Sequence, residues 1–360
     1  MPEALRVASP RIAEFVDVDG VAEVRRRLAS IPLEQRNRAA GYSPDLARIW
    51  DVIAENLSEG KLVRPAILLA VANAVGTRED QHEAVLELAV AVEMLHHAFL
   101  LHDDVIDHDV VRRGRPNLIA RIGEELTAPD ATQDERRAVG EAAGILAGDL
   151  VLSQAHQCLA RLHTSQAVRL RLLDLLQETL QHSIAGELAD VGFSRQSLRP
   201  SLDDVLAMSQ SKTGAYTVRL PLLWALIVVE ADIPDGLEDF AAALGLAFQL
   251  QDDLLGLFGD PELVGKDPVS DIREGKYTAV MAHASGSAQW AEISTYLGSA
   301  DLTAADGAHV LELLEAGGAR AAVEQDLADA LERALRLARE SGPLAQVLHA
   351  LVLALTERRS

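Results

Sequence analysis

The sequence predicts an all-α fold in one domain spanning residues 1–360, and three observations support this. Alanine and leucine dominate, while aromatic residues make up only 4% of the chain, a composition typical of packed helices rather than of a sandwich or barrel. Apolar residues recur mainly at helical spacing, and strand-like alternation is rare. Apolar residues account for 49% of the chain, enough for a sizeable core.

Helical signals follow one another after an irregular segment at residues 1–20. Two short amphipathic helices, at 21–29 and 44–57, are separated by a turn around Pro32. A polar stretch at 124–135 predicts a surface loop. Further helices are predicted after Pro65, at 83–107, at 144–162, at 166–188, at 203–229, and from a turn at 234–236 onward.

The chain is strongly acidic, with a formal net charge of −22. A surface that follows a nucleic-acid backbone needs an excess of lysine and arginine, so we expect no nucleic-acid partner. Only four lysines occur, and each lies in a motif-like segment: Lys61, Lys212, Lys266 and Lys276. Either these positions need a compact ammonium group, or a compositional bias removed the other lysines.

The cysteine content and the apolar runs bear on the location of the protein. Cys158 is the only cysteine, which excludes an internal disulfide and suits a reducing compartment. The start of the chain lacks the apolar core of a signal peptide. No run reaches the ~18 apolar residues of a membrane span, and the run from Leu220, LPLLWALIVV, is about half that long. We therefore expect a cytoplasmic protein without a membrane span.

An apolar run at helical spacing leads into a cluster of aspartates in LLHDDVIDHDVVRRGRPN. Asp103 and Asp107 stand four residues apart, so on a helix they share a face and could hold a cation, with Asp104 beside them. Crowded carboxylates are tolerable when hard divalent cations, here Mg²⁺, link them to an anionic substrate. Arg112 and Arg113 would supply that anion's other contacts. Taken alone, the stretch could also be an acidic helix surface followed by a basic turn.

A second segment, FQLQDDLLGLFGDPELVGKDPVSDIREGKYT, repeats this scheme. Asp252 and Asp253 stand at the end of another apolar helix, and a loop with Lys266, Asp271 and Lys276 follows. Two such segments in one chain favour a metal and diphosphate site over an ordinary acidic surface.

With these two motifs the chain resembles the trans-isoprenyl diphosphate synthases, an all-α family that makes geranyl, farnesyl, geranylgeranyl and longer polyprenyl diphosphates. The resemblance runs from about Gly60 to Lys276. Many members carry a third aspartate where this chain has Gly256, which leaves Asp252 and Asp253 as the expected ligands of the second motif. The resemblance also implies long antiparallel helices around a central prenyl-chain cavity, and a homodimer.

Further motifs match the family with some departures. The segment EGKLVRP is similar to the family's GGKRLRP, which binds isopentenyl diphosphate; Lys61 and Arg64 match, whereas Glu59 and Leu62 do not. His96 matches a histidine that contacts the same substrate. A core histidine is the alternative for His96, and ordinary surface charges are the alternative for the two cations.

Another group of matches concerns the allylic substrate. Lys212 and Thr213 match the family's KT pair, which faces the allylic diphosphate, and Gln249 contacts the same group in the family. Asp190 matches the aspartate of the GQxxD motif, with Glu187 in place of glutamine. Taken alone, Lys212 could instead be a lysine whose stem packs along an apolar helix.

The resemblance implies an Mg²⁺-dependent condensation of isopentenyl diphosphate with dimethylallyl, geranyl or farnesyl diphosphate, with Mn²⁺ as a substitute metal. The expected metal ligands are Asp103, Asp104, Asp107, Asp190, Asp252 and Asp253. The residues with an expected catalytic role are Asp103, Asp107, Lys212, Asp252 and Lys266. The expected substrate contacts are Lys61, Arg64, His96, Arg112, Arg113, Lys212, Thr213, Gln249, Lys266 and Lys276.

Two other functions fit this set of motifs less well. A class I terpene cyclase would lack the set of Lys61, Arg64 and His96, and would replace the second aspartate cluster with an Asn/Ser/Glu pattern. A catalytically idle partner subunit would have lost one aspartate motif, whereas this chain keeps both. These features favour an active prenyltransferase.

The residues before the first aspartate motif bear on product length. Phe99 lies one helical turn, ~6 Å, below Asp103 on the same face, so its ring is expected to limit the growing chain. Ala98 is small and is expected to open the neighbouring wall. We therefore expect geranylgeranyl diphosphate as product, with farnesyl or a longer polyprenyl diphosphate as the alternative.

Overall fold

The computed structural model describes residues 18–57, 60–112, 114–195, 200–259, 269–299 and 301–356. Three residues named above, Glu59, Arg113 and Lys266, lie outside these ranges, so their expected contacts stay predictions.

The all-α prediction is confirmed, because helices form nearly all of the regular structure. The helices of the first half are α1 (Val18–Ala39), α2 (Pro44–Leu57), α3 (Val63–Val75), α4 (Glu79–Ile106), α5 (Leu118–Glu125), α6 (Gln133–Arg161) and α7 (Gln166–Ser194). Those of the second half are α8 (Leu202–Ser209), a π-helix (Gln210–Arg219), α9 (Leu220–Val228), α10 (Leu237–Phe258), α11 (Ser270–Glu274), α12 (Ala279–Ala284), α13 (Trp290–Ile293), α14 (Ala304–Ala316), α15 (Ala319–Glu340), a 3₁₀ turn (Gly342–Leu344) and α16 (Ala345–Thr356). Within the described ranges, the strands are β1 (Val111–Arg112) and β2 (Arg115–Pro116), which pair antiparallel.

The first helix differs from the sequence-based prediction. α1 begins at Val18, inside the segment expected to be irregular, and it continues through Pro32 to Ala39, so the predicted turn at Pro32 is wrong. Val24, Leu28 and Pro32 are spaced four residues apart and are all buried. Burial of this face outweighs the single backbone hydrogen bond that proline cannot donate.

The predicted loop at 124–135 is shorter than expected. α5 continues to Glu125 and α6 begins at Gln133. The hydroxyl of Thr132 accepts a hydrogen bond from the N–H of Glu135, whose carboxylate in turn accepts one from the N–H of Thr132. This reciprocal capping box uses polar residues to start a helix, so polarity alone misplaced the boundary.

The chain divides into two compact units. The first contains the described residues up to Asp174 together with Pro221–Asp232, and the second contains Leu175–Leu220 and the described residues from Ile233 onward. The assignment of a single domain stays a prediction.

In the first unit, α4 packs against α6, α3 and α1. Its middle is buried, with Leu88, Met94 and Leu95 fully inaccessible. Contrary to the sequence-based expectation, α4 is long and apolar enough to cross a membrane, but 72% of its most apolar stretch is buried inside the protein. A core helix passes the same test, so the composition of α4 is weak support for a membrane span.

In the second unit, α10 packs against α15 and against the π-helix. Two glycines allow the close approach of α10 and the π-helix, because a Cβ at Gly245 would lie only 2.9 Å from the Cα of Gly214. Phe240, at the start of α10, is fully buried. These contacts fix the helix that carries the second aspartate motif.

Candidate active site

The first aspartate motif lies at the C-terminal end of α4. Asp107 caps this helix, and its N–H donates to the carbonyl of Asp103. The two side chains therefore start one turn apart on one side of the helix, as the spacing predicted. The side chain of Asp103 is 25% exposed, so this carboxylate is at the surface of the first unit.

Asp104 has a different environment. Its side chain is 4% exposed, and its Oδ1 accepts hydrogen bonds from Nε of Arg112, at 2.7 Å, and from Nη2 of the same guanidinium. Burial raises the pKa of Asp104 to about 6, against the opposing effect of the positive charge of Arg112. In this structure Asp104 anchors Arg112, and its assignment as a metal ligand stays a prediction.

A small cavity of about 30 Å³, lined by both polar and apolar side chains, lies beside this ion pair and is large enough for one or two water molecules. His97, Arg115 and Asn117 line it together with the pair. The amide of Asn117 donates to the carbonyl of Asp109 at 2.8 Å and accepts from the N–H of Ala120 at 3.1 Å. Asn117 thus caps α5 and orders the turn behind the motif. A signal for this role is present in the sequence, because asparagine directly before a helical run is a capping residue.

The segment expected to bind isopentenyl diphosphate leads into α3. Lys61 is exposed, whereas Arg64 lies in the first turn of α3 and is only 6% exposed. Between them, the buried Leu62 adopts a left-handed conformation, with φ of 50°, which is unfavourable for a residue other than glycine. Such strain is often found at functional sites, so the backbone here agrees with a binding role.

A buried carboxylate that the sequence reading did not single out packs against this segment. Glu93 of α4 is 5% exposed, and a Cβ at Gly60 would lie 2.7 Å from its Oε1. His96 follows three residues later and is half-buried. An acidic residue inside an apolar helix was the available signal, since such a residue is rarely buried without a partner.

The residues expected to control product length differ in burial. Ala98 is 0% exposed, so it belongs to the core, and its expected role in opening a wall stays a prediction. Phe99 is half-buried. Its position one turn before Asp103 keeps it a candidate for limiting the product.

In the second unit, Lys212 forms ion pairs with two carboxylates of α7. Its Nζ lies 2.6 Å from Oδ2 of Asp190 and 3.0 Å from Oε2 of Glu187. A Cβ at Gly186 would collide with the backbone of Lys212, so glycine permits this close approach. Lys212 and its half-buried neighbour Thr213 lie near the start of the π-helix, a distortion that often occurs at functional sites.

The second aspartate motif lies near the C-terminal end of α10. As on α4, one of its two adjacent aspartates is partly exposed and the other is buried. Asp252 is half-buried, whereas Asp253 is 7% exposed. The Oδ1 of Asp253 accepts from Nε2 of Gln249 at 2.8 Å, and its Oδ2 accepts from the N–H of Ala279 at 3.4 Å. Burial raises the pKa of Asp253 to about 7, with further contributions from the negative charges of Asp271 and Asp252. Gln249 and Asp253 thus tie α10 to the start of α12, and their assignments as substrate and metal contacts stay predictions.

Lys276, expected to contact substrate, forms an ion pair with Glu274, with Nζ 3.0 Å from Oε2. Among the residues that the structure describes, no three histidine, cysteine, aspartate or glutamate side chains converge closely enough to hold a metal alone. The carboxylates of Asp103 and Asp107 in the first unit, and separately that of Asp252 in the second, are nevertheless the donor type that a hard divalent cation prefers, because such an ion takes few carboxylates and completes its shell with water and phosphate oxygens.

Comparison with known proteins identifies the family. Residues 47–314 match the polyprenyl synthetase family, and the chain belongs to that family. Its members include prenyl diphosphate synthases, and the chain is accordingly a transferase of prenyl groups. The family resemblance read from the motifs is confirmed.

Relatives of both expected product classes are similar to this chain. It is 34% identical over 273 residues to a (2E,6E)-farnesyl diphosphate synthase of Mycobacterium bovis, covering 72% of this chain and 68% of that protein. It is 35% identical over 265 residues to a geranylgeranyl diphosphate synthase of Mycobacterium tuberculosis, covering 72% and 69%. Similarity alone therefore does not select the product.

A solved structure supports the fold over nearly the entire chain. The geranylgeranyl pyrophosphate synthase of Corynebacterium glutamicum, complexed with isoprenyl diphosphate and magnesium, superposes with a TM-score of 0.84 at 28% identity. The match covers 93% of this chain and 98% of that one.

Proposed function

We propose that the chain is an Mg²⁺-dependent head-to-tail prenyltransferase that condenses isopentenyl diphosphate with an allylic diphosphate to give geranylgeranyl diphosphate. The supporting observation is that each aspartate motif combines one buried carboxylate with one partly exposed carboxylate. Asp103 and Asp252 are partly exposed, whereas Asp104 and Asp253 are buried and bonded within the protein. In each motif the buried carboxylate is hydrogen-bonded within the protein, and its partly exposed neighbour is accessible to a cation. This arrangement suits cation binding.

When bound, Mg²⁺ would neutralise the allylic diphosphate and make it a better leaving group. Asp103, Asp107, Asp190 and Asp252 would hold the metal. Arg112, Lys212 and Lys266 would contact the same diphosphate, and the contacts of Arg112 with Asp104 and of Lys212 with Asp190 would position two of these cations in advance.

Lys61, Arg64, His96 and Arg113 would hold isopentenyl diphosphate. In the reaction, the allylic carbon–oxygen bond breaks and the diphosphate leaves with the electron pair. The double bond of isopentenyl diphosphate then forms the new carbon–carbon bond. Loss of a proton from the resulting cation, with the departed diphosphate as acceptor, restores a double bond. Apolar helix faces would exclude water, which would otherwise capture the allylic cation.

We also propose that the protein is cytoplasmic and forms a homodimer. Adjacent apolar residues on α6, Ile145 and Leu146, are 48% and 58% exposed, and a second copy could cover them. Sedimentation of the purified protein at micromolar concentration would test the dimer.

The test of function is incubation of purified protein with isopentenyl diphosphate, Mg²⁺ and dimethylallyl, geranyl or farnesyl diphosphate, followed by chain-length analysis. We expect geranylgeranyl diphosphate; a farnesyl product would select the alternative. Chelation should abolish turnover, and Mn²⁺ should restore it. A cyclic hydrocarbon would indicate a terpene cyclase, and absence of any product would indicate an idle partner subunit.

Variants of the two motifs complete the test. Asp103→Ala and Asp252→Ala should each lower turnover by orders of magnitude while circular dichroism shows an unchanged helix content. The matched control is Asp329→Ala, since Asp329 is an exposed aspartate on α15. Near-normal turnover of Asp103→Ala would contradict the assignment.

A further inference from the structure

Glu187 lies where the family's GQxxD motif carries glutamine, so this chain has a carboxylate in place of a neutral amide. It stands three residues before Asp190 on α7, and side chains at this spacing are neighbours on a helix. Nζ of Lys212 lies 3.0 Å from Oε2 of Glu187 and 2.6 Å from Oδ2 of Asp190. The three charged groups therefore form one cluster in the second unit.

The backbone around Gly186 brings this cluster together. A Cβ at Gly186 would collide with the backbone nitrogen of Lys212, so only glycine lets α7 approach the start of the π-helix this closely. The side chains of Lys212 and Glu187 are each 21% exposed, and that of Asp190 is 14% exposed. Charges that are partly removed from water interact more strongly than fully exposed charges. A change in the charge of the cluster is therefore expected to act on an anion that binds beside it.

The charges of the cluster do not cancel. Two ionised carboxylates against a single ammonium group leave one negative charge in excess. An ammonium group has three N–H donors, so Lys212 can donate to both carboxylates and still donate to a phosphate oxygen. A diphosphate that binds to Lys212 gains a charge-assisted hydrogen bond but is repelled by the excess negative charge. Glutamine at position 187 would accept the same hydrogen bond from Lys212 without that repulsion.

We propose that Glu187 is a positioning residue that sets the affinity of the allylic site. It holds the ammonium group of Lys212 in place and, through its negative charge, weakens the binding of a diphosphate to that ammonium group. This inference rests on the proposed function, which assigns Lys212 to the allylic diphosphate. The effect applies equally to the allylic substrate and to the diphosphate that leaves after the reaction, so Glu187 opposes the retention of both.

The first test removes the charge of Glu187 and keeps the shape of its side chain. Binding of inorganic diphosphate to the purified chain in metal-free buffer is measured by isothermal titration calorimetry. We expect Glu187→Gln to raise the affinity roughly tenfold. In steady-state kinetics with Mg²⁺, KM for the allylic substrate should fall by a similar factor, whereas KM for isopentenyl diphosphate should not change. A purely structural role for Glu187 predicts a loss of affinity and not a gain.

Two further variants separate charge from shape and from position. Glu187→Asp keeps the charge on a shorter side chain, so its diphosphate affinity should stay near that of the unaltered chain. Glu178→Gln is the matched control, because Glu178 lies on the same helix and pairs with Arg219 at 3.1 Å, but its side chain is 48% exposed. We expect no change in Glu178→Gln. If Glu187→Asp raises the affinity as much as Glu187→Gln does, the effect comes from a lost contact and the inference is overturned.

The Lys212→Ala variant separates this inference from the proposed function. If Lys212→Ala weakens diphosphate binding while Glu187→Gln leaves it unchanged or weakens it, the inference is overturned and the proposed function stands. If Lys212→Ala changes neither diphosphate affinity nor turnover, the assignment of Lys212 in the proposed function fails and this inference fails with it. Thermal unfolding of each variant reports whether the fold is retained. If Glu187→Gln does not fold, Glu187→Ala carries the same change of charge and decides by the same criterion.

Discussion

The guanidinium of Arg112 is held by Asp104, through Nε and Nη2 to a single carboxylate oxygen. The same Nη2 lies 3.4 Å from Oδ2 of Asp103. Arg112 therefore connects the two adjacent aspartates of the first motif, one buried and one partly exposed. This arrangement predicts that the two carboxylates respond differently to removal.

We expect Asp104→Ala to lower the free energy of unfolding by roughly 3 kcal/mol, because it leaves a partly buried guanidinium without its main partner. Asp103→Ala should cost less than about 1 kcal/mol, because that side chain is more exposed and its contact is longer. Urea unfolding of both variants at neutral pH measures the difference. Equal destabilisation would show that Asp104 does not anchor Arg112.

The buried carboxyl of Asp253 predicts a pH dependence of stability in metal-free buffer. Its folded-state pKa of about 7 lies above the ordinary value of about 4, so the folded state binds the proton more tightly. The stabilisation from this proton is complete below about pH 4 and is lost as the pH rises through about 7. The melting temperature should therefore fall between about pH 5 and about pH 8.

The Asp253→Asn variant isolates this contribution, because asparagine mimics the neutral carboxyl. Its melting temperature should depend less on pH over the same interval than that of the unaltered chain. Asp239→Asn is the control, since Asp239 is an exposed aspartate on the same helix. An unchanged slope in Asp253→Asn would assign the pH dependence to another group.

Lys61 and Arg64, at the start of α3, predict an effect on the KM of one substrate and not of the other. Lys61→Ala should raise KM for isopentenyl diphosphate roughly tenfold, since it removes a charge-assisted contact, and should change KM for the allylic substrate much less. Arg64→Ala should do the same and should also lower the melting temperature, because Arg64 is buried and Lys61 is exposed. Steady-state kinetics with each substrate varied in turn measures both. A larger effect on the allylic KM would mean that the two binding sites are interchanged.

Product length should respond to Phe99. Phe99→Ala removes the ring one turn before Asp103, so chain-length analysis should show longer products. Ala98→Phe should shift products toward farnesyl diphosphate, but Ala98 is fully buried, so overpacking should also cost about 1–3 kcal/mol of stability. Phe99→Leu is the matched control, with an apolar side chain of intermediate size. If Phe99→Ala leaves the distribution of product chain lengths unchanged, other residues limit the product.

Spacing along the chain was sufficient to predict several features of the fold and site. The all-α class followed from composition and periodicity, and the common face of Asp103 and Asp107 followed from a separation of four residues. The roles of Asp104 and Asp253 could not be predicted in this way. Consecutive residues on a helix point about 100° apart, so one aspartate of each pair had to turn away, but which one is buried depends on the groups that pack against it.

Features that depend on packing between helices could be predicted from the sequence even less. Pro32 normally indicates a break, and only the burial of its helix face explains why α1 continues. The proximity of Asp271 to Gly256 relates residues on separate helices, and the spacing of residues along a single helix cannot reveal such a relation. Glu187 was noted as a departure from glutamine, but its contact with Lys212 depends on the distance between two helices.

The π-helix at Gln210–Arg219 bears on how this stretch tolerates a change in chain length. A π-helix closes its hydrogen bonds over one more residue per turn than an α-helix, so it absorbs residues that an α-helix would have to bulge out. Lys212, near its start, reaches Asp190, and Arg219, at its end, pairs with Glu178 and Glu238. If one residue between them were removed, the segment could revert to an α-helix, whose larger rotation per residue would offset the missing residue. The angle between these two ion pairs would then change little, so this stretch is expected to tolerate the loss of one residue better than the regular α-helices do.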